Sequence, residues 1–486
     1  MAVKELVKIV GGANVTDKPA VLAEYSTDSS FASPVKPGCV VRPENAGEVQ
    51  AIVKWANDTH TPLVPVSSGA PHFRGDTVPG KPGAVVIDLT RMKKIIRIDT
   101  RNKLALLEPG VTFSELQAEL EKVGLCAYMP LAPRLTKSVI SSVLEREPII
   151  MPSHHWDSTD PLLCAEVVFG TGDRFRTGEA SGPDTVEEQW EMGRVQMNPF
   201  GHSHVDFQRL ISGAQGTMGI VTWATVKCCY LSEMSRALFV PSDTLEPLID
   251  LIYQPTKFRL GGKLFILNGL NLACLLGKNA KEIQELKKNL PPWVLFISFE
   301  GYGVLPRDKV VYEEADFRVM VKSINLKPVS KIAGADAEEF SRLLSRPSPD
   351  PYWKTRLRGG IQDIFFLTTP DKTPDFTAAV TDLARQQKYP LENIGAYIQP
   401  IVQGTSCHCE FDLFYDPANK AEVEATKKLV SLAAEKIAAM GGFFSRPHGA
   451  WKDTAYRGAG GTLDMQKKIK DIFDPNAILN PGKLGF

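Results

Sequence analysis

Between the apolar runs PLVPV and AVVIDL lies SGAPHFRGDTVPG, residues 68–80, where glycines and prolines are interleaved with a histidine, an arginine and an aspartate. Small residues let backbone N–H groups come close to an anion. SSGA at 67–70 and GAQGTMGI at 213–220 therefore have the composition of phosphate-cradling loops. In CHCEF, His408 and Glu410 alternate, which on a strand turns both side chains to one side. A neutral imidazole beside a carboxylate is suited to moving a proton near pH 7. His60 reads as a turn residue, and His202 and His204 in FGHSH as solvated loop. No G-x-G-x-x-G leads from a strand into a helix and no G-x-x-x-x-G-K-[ST] occurs, so a nucleotide would need a fold other than these two.

Elements must hold these loops. CVVRP and PLVPV read as strands around a helix in NAGEVQAIVKWANDT, with apolar residues at helical spacing. Thr112 and Glu115 have the spacing of a capping box, and LLCAEVVFGTGDRFRTG reads as a hairpin turning at 170–173. From about 233 to 440, strands such as WVLFISFEGYG and CHCEFDLFYD alternate with helices such as NAKEIQELKKNL, the pattern of an α+β unit with an antiparallel sheet. At 486 residues the chain is long enough for two or three domains.

Composition narrows the classes. Lys+Arg and Asp+Glu both number 56, so the basic footprint of a nucleic-acid binder is missing and a small-molecule substrate is the expectation. No stretch approaches a membrane span and the beginning has no signal-peptide core, which with eight sparse cysteines indicates a cytoplasmic protein.

YSTDSS, PVSSGAPHFRGDTVPGKPGAVVIDLTRMKKI, LLEPGVTFSELQAEL, AQGTMGIVTWATVK and IFDPNAILNPGKLG occur in the order found in FAD-binding oxidoreductases of the vanillyl-alcohol oxidase and p-cresol methylhydroxylase superfamily, which the chain resembles. The resemblance implies an α+β fold. A two-part FAD-binding domain would comprise 1–232 and a returning segment at 441–486, with a cap domain carrying an antiparallel sheet at 233–440. It implies that Ser67, Ser68, Gly69, Ala70, Pro71, His72 and Gly75 wrap the FAD pyrophosphate. Pro133, Ser138, Ser141 and Ser142 would close over it from a second loop. Gly216, Gly219, Ile220 and Val221 would line the cofactor, and Asn480 and Lys483 would reach it from the C-terminal turn. His72 follows Ala-Pro where covalently flavinylated relatives have Gly-Gly, so a covalent link is not expected.

Two branches of the superfamily compete. The alkylphenol-oxidising branch is matched at Ser138, Val139, Ile140, Glu145 and Arg146, and it places its catalytic aspartate near His154 or His155. Where it carries Gly-x-Tyr-Arg for a phenolate, this chain has Gly449, Ala450, Trp451 and Lys452. The hydroxy-acid dehydrogenases share the ending DPNAILNPGKLG, and their metal site would fall on His408, Glu410 and His448. That set is incomplete, with Ile401 and Pro447 where ligands belong, so no metal is expected with assurance.

The implied activity is hydride transfer from an alcohol or hydroxy acid to FAD. His154, His155, His408 and His448 are the candidate bases, and Lys452 or Arg146 would neutralise a substrate anion. Glu410 and Trp451 would contact substrate. The alternatives are a hydroxy-acid dehydrogenase subunit passing electrons to an iron–sulfur or other electron-acceptor protein, and a non-catalytic flavin-binding assembly subunit. A homo-oligomer is compatible with either.

Overall fold

The structure, a computed structural model, describes residues 2–202 and 205–486; His204 lies outside the described residues. The first sheet contains β1 (Val15–Thr16), β2 (Cys39–Val41), β3 (Leu63–Val66) and β4 (Val85–Asp88) in the order β1-β2-β4-β3. β2, β4 and β3 run parallel and are buried almost throughout, as strands covered on both faces must be. This is why their sequences are apolar runs without alternation.

The helix Ala46–Thr59 carries the chain from β2 to β3, with Asn45 accepting a hydrogen bond from the Glu48 backbone N–H at its start. Val49, Ile52, Val53 and Ala56 form its buried stripe. β3 and β4 are parallel neighbours, so no tight turn can join them and the chain must run back to the start of β4. Topology alone therefore demands a long connection at 67–84.

The second sheet is antiparallel: β5 (Ile95–Asp99), β6 (Leu104–Leu107), β7 (Leu125–Ala127), β8 (Leu162–Phe169), β9 (Arg174–Arg176) and β10 (Gly219–Tyr230). β8 and β9 form the hairpin written in GTGD, and the Thr112–Glu115 capping box opens the helix Phe113–Glu121.

The third sheet belongs to the cap. Its strands are β11 (Met234–Ser242), β12 (Leu264–Asn268) and β13 (Trp293–Gly301), and then, after a short ribbon of β14 (Lys331–Ile332) and β15 (Ala335–Asp336), β16 (Gly360–Thr368), β17 (Ile394–Ile401) and β18 (Ser406–Tyr415). They pair antiparallel in the order β11-β13-β12-β17-β18-β16. Helices Glu246–Phe258, Pro306–Ser323, Thr373–Gln386 and Lys420–Ala439 share a core with one face. The other face packs on Leu131, Ile150 and Met151, so the first half of the chain closes directly onto the cap.

Phe444 and Trp451 belong to the cap's core, whereas Leu479 pairs alongside Leu63 of β3. The return to the first sheet therefore begins near Lys470, later than residue 441. The Lys470 ammonium fixes it by donating to the Thr217 carbonyl at 2.7 Å and to Asp474 at 2.6 Å. Among the described residues no helix is long and apolar enough to cross a membrane.

Candidate active site

The connection between β3 and β4 and the segment 133–147 face each other across a cavity, walled on its far side by the cap. Ser68 knits the two loops together: its hydroxyl meets that of Ser141 at 2.9 Å and accepts from the Ser138 N–H at 3.1 Å. Gly69 donates to the Thr136 carbonyl, and a side chain on Gly69 would stand 3.1 Å from the Thr136 Cβ. Ser138 is a structural cap, accepting from the Ser141 N–H and donating to the Pro109 carbonyl. Gly69, Ala70, Pro71, Gly75, Ser138 and Ser142 therefore shape the loops without lining the cavity, and Pro133 lines a smaller annex.

Ser67, Ser68, His72, Ser141, Gly216, Gly219, Ile220, Val221 and Asn480 do line it. Gly216 has φ +70°, and a Cβ there would lie 2.5 Å from Pro65. Asn480 donates to the Asp76 and Gln215 carbonyls while its own side-chain oxygen has no hydrogen-bond partner among the described residues. Lys483 donates to the Gly75 carbonyl at 2.7 Å and does not line the cavity, so it braces the loop from behind.

The cavity is densely charged. Arg74 stands 3.6–3.7 Å from Glu145, Glu147 and Asp363, and Lys137 bonds Glu145 at 2.7 Å. Burial opposes the Glu145 charge, but Lys137 and Arg74 hold its carboxyl down to about 2. Buried polar atoms without a hydrogen-bond partner among the described residues gather here: the Arg74 Nη1, Arg134 Nε, Glu145 Oε2, His448 Nδ1 and Asn480 Oδ1 all belong to cavity-lining residues. Such orphans cost stability in a closed core but fit a wall built to meet a polar ligand.

The turn 446–448 enters from the cap side. It is held by Gln215, which donates to the Pro447 carbonyl at 3.0 Å, and by the Trp451 indole N–H, which donates to the Arg446 carbonyl at 2.9 Å. Arg446 lies over the Phe365 ring at 3.9 Å and has no carboxylate partner among the described residues. Burial, then Arg74, lowers its pKa to about 10, so it stays charged at neutral pH. Its guanidinium can only donate, which makes the His408 Nδ1, 3.3 Å away, an acceptor. The His408 proton therefore sits on Nε2 and is donated to Glu410 at 3.0 Å. Both His408 nitrogens are committed. His448 is different: its Nδ1 is free, and burial, with Arg74 and Arg446, holds it well below the usual histidine value, neutral at pH 7.

The other expected residues sit elsewhere. Arg146, at φ +55°, bonds Ser212 and faces away while its neighbour Glu145 faces in. The His154 Nδ1 meets the Tyr128 hydroxyl at 3.2 Å, and the His155 Nδ1 accepts from the Val402 N–H at 2.8 Å. Neither lines the cavity or its annex, and their partners Tyr128 and Val402 hold both imidazoles in the packing between loop and cap. Lys452 lies nearest Asp453 at 3.9 Å, and Trp451 supports Arg446 from the cap core. Arg74, Arg134, Lys137, Glu147, Lys354, Asp363 and Arg446 were not singled out by sequence. Two had a signal: Arg74 as the arginine of the loop 68–80, and Arg446 as the residue two before His448.

The sequence pattern of the FAD binding domain matches residues 37–178, and that of the FAD linked oxidases, C-terminal domain, matches 369–484. The two matches bracket the cavity from both halves of the chain. The chain belongs to the FAD-linked oxidoreductases. It is 25% identical to the glycolate oxidase subunit GlcD of Bacillus subtilis over 99% of this chain and 96% of that one. It is 22% identical to the 4-cresol dehydrogenase [hydroxylating] flavoprotein subunit of Pseudomonas putida over 100% and 95% of the two chains. The solved structure of p-cresol methylhydroxylase with substrate bound superposes with a TM-score of 0.86 at 19% identity, covering 100% of this chain and 96% of the other, and shows the same fold.

This FAD-linked oxidoreductase is thus an enzyme rather than an assembly subunit, with FAD as its cofactor. The glycine-lined strip at the start of β10 and the orphaned polar atoms fit that group. A metal on His408, Glu410 and His448 does not fit, because both His408 nitrogens and Glu410 are already bound within the chain.

Proposed function

We propose that the enzyme oxidises the alcohol carbon of a small substrate that also carries a carboxylate or phenolate. The observation behind this reading is the turn 446–448, which brings an arginine without a carboxylate partner and a histidine with a free ring nitrogen to one cavity. FAD would lie along Ser67, Ser68, His72 and Ser141, over Gly216 and Gly219 to Val221, with the Asn480 Oδ1 free to accept a cofactor hydrogen bond. Residues 1–232 and the C-terminal return would hold the cofactor, and the 233–440 cap the substrate.

Bound FAD supplies the hydride acceptor. Arg446 would hold the substrate's anionic group and so aim its carbon at the cofactor. His448 would take the hydroxyl proton on Nδ1 as the C–H bond breaks, leaving a carbonyl product. The cations beside His448 disfavour its protonated form, so the proton is passed on readily and the base is regenerated.

An annex continues from the cavity between Pro130, Leu131, Tyr352, Trp353 and Tyr397. Those walls favour an aromatic or branched body over a two-carbon acid. The relatives named for glycolate and 4-cresol mark the two ends of this range.

The test is anaerobic bleaching of the purified holoenzyme by mandelate, 4-hydroxybenzyl alcohol, lactate, glycolate and the neutral benzyl alcohol. Fast reduction by an anionic aromatic member supports the reading. Equal reduction by benzyl alcohol overturns it, while reduction by glycolate alone keeps the anion but overturns the preference for an aromatic body. Re-oxidation in air against re-oxidation by an artificial acceptor then distinguishes an oxidase from a subunit that passes electrons to a partner.

A further inference from the structure

Three buried carboxylates meet on the cap sheet beside the annex, with Glu410 lining the annex and Asp363 the main cavity. Asp363 of β16 stands directly opposite Asp412 of β18, and Glu410, two residues earlier on β18, points the same way. Their oxygens lie within 4.8 Å of one another. Like charges opposed across a sheet repel, and burial removes the water that would screen them, so such a group needs a cation. A divalent metal is one solution. This chain contains another: the Lys354 ammonium, on the segment leading into β16, bonds Asp412 at 2.8 Å, Glu410 closely, and Asp363 at 3.5 Å.

The cluster is wired to the cavity. Glu410 accepts from the His408 Nε2–H, and the His408 Nδ1 accepts from Arg446. With its negative charge matched by Lys354, Glu410 does not pull a second proton onto His408, and the neutral imidazole keeps an acceptor nitrogen for the guanidinium. A metal on these carboxylates would have to expel an ammonium already bonded to all three.

We propose that Lys354 is the built-in cation of the substrate pocket, standing where a divalent metal would otherwise be required, and that it positions Arg446 through Glu410 and His408. This deepens the proposed function, in which Arg446 receives the substrate's anion, but its tests need no substrate. Lys354 is a positioning residue. The groups facing His408 are Glu410 on its own strand, Arg446, the ring of Tyr397 on β17 at 5.5 Å and the ring of Phe365 on β16 at 5.9 Å, with the Lys354 charge behind Glu410.

Two measurements on the holoenzyme decide. In the first, the protein is dialysed against chelator and then against Zn²⁺ or Mn²⁺, and bound metal is counted by mass spectrometry. No tightly held equivalent is expected. One equivalent per chain that is lost in Glu410→Gln would overturn the proposal, whether or not any lysine variant folds.

In the second, ¹⁵N-labelled imidazoles are followed by NMR. Wild-type His408 should be neutral with its proton on Nε2 at pH 7. In Lys354→Met, Glu410 loses its cation and draws a second proton onto His408, moving its titration up by about one pH unit or more. Lys354→Arg should restore the neutral form. A His408 signal unchanged in Lys354→Met would refute the inference, and such a result would leave the substrate panel unaffected.

Discussion

In the proposed mechanism a single arginine and a single histidine of the turn 446–448 divide the work, and each can be replaced without altering the cofactor loops. Arg446→Met removes the charge but keeps an apolar side chain over Phe365. Losing a charge-assisted contact to the substrate anion should lower kcat/KM about 10- to 100-fold, mostly through KM, with FAD content unchanged. Steady-state kinetics with the best anionic substrate checks this, and an unchanged KM would move the anion to Arg74 or Arg134. His408, Glu410 and His448 were legible in sequence because histidine is scarce, with eight in the chain, and because His408 and Glu410 alternate on a strand. Arg74 and Arg446 were marked only by their place, in the glycine-rich loop and two residues before His448, and Lys354 not at all: a basic residue carries no local pattern, and the roles of Arg74 and Lys354 exist only where carboxylates distant in sequence converge. The adjacent pair Glu145–Arg146 shows the same limit. Which neighbour faces the cavity depends on a positive φ at Arg146 that its sequence does not announce.

At the level of elements, backbone approach governs the cofactor cradle. Gly216 is constrained twice, by its φ of +70° and by Pro65 lying 2.5 Å from any Cβ. Gly216→Val should fold but purify without flavin absorbance, whereas His154→Ala should remain yellow; the ratio of flavin to protein absorbance reads both. Strand and cap signals were written locally: the GTGD hairpin, the Thr112–Glu115 box and the apolar runs of β2 and β3 depend on neighbours in sequence. The loop after β3 was legible as unusual but not fully explained, because part of its length comes from the parallel pairing with β4. Parallel register is a long-range fact, as is the later return of the C-terminus beside Leu63.

Across the whole molecule, the first half and the cap are pinned by contacts that include His155, whose Nδ1 accepts from the Val402 backbone. Burial pushes its pKa down to about 4, against the ordinary 6.5. Between those values the unfolded chain binds the proton that the folded one refuses, so this contribution is complete above pH 6.5 and is lost as pH falls toward 4. The shift corresponds to about 3 kcal/mol. His155→Asn keeps an acceptor and does not titrate, so its melting temperature should fall less than that of wild type between pH 6.5 and 4. Parallel pH curves would show that His155 does not couple acid to unfolding.

The most direct test of the central claim is single-turnover, anaerobic flavin reduction in His448→Ala beside wild type, with matched FAD occupancy. A base lost from the reacting site should slow reduction about 10²- to 10⁴-fold. An undiminished rate in His448→Ala, with a collapse instead in His154→Ala or His155→Ala, would contradict the account and place the base in the loop before Trp156.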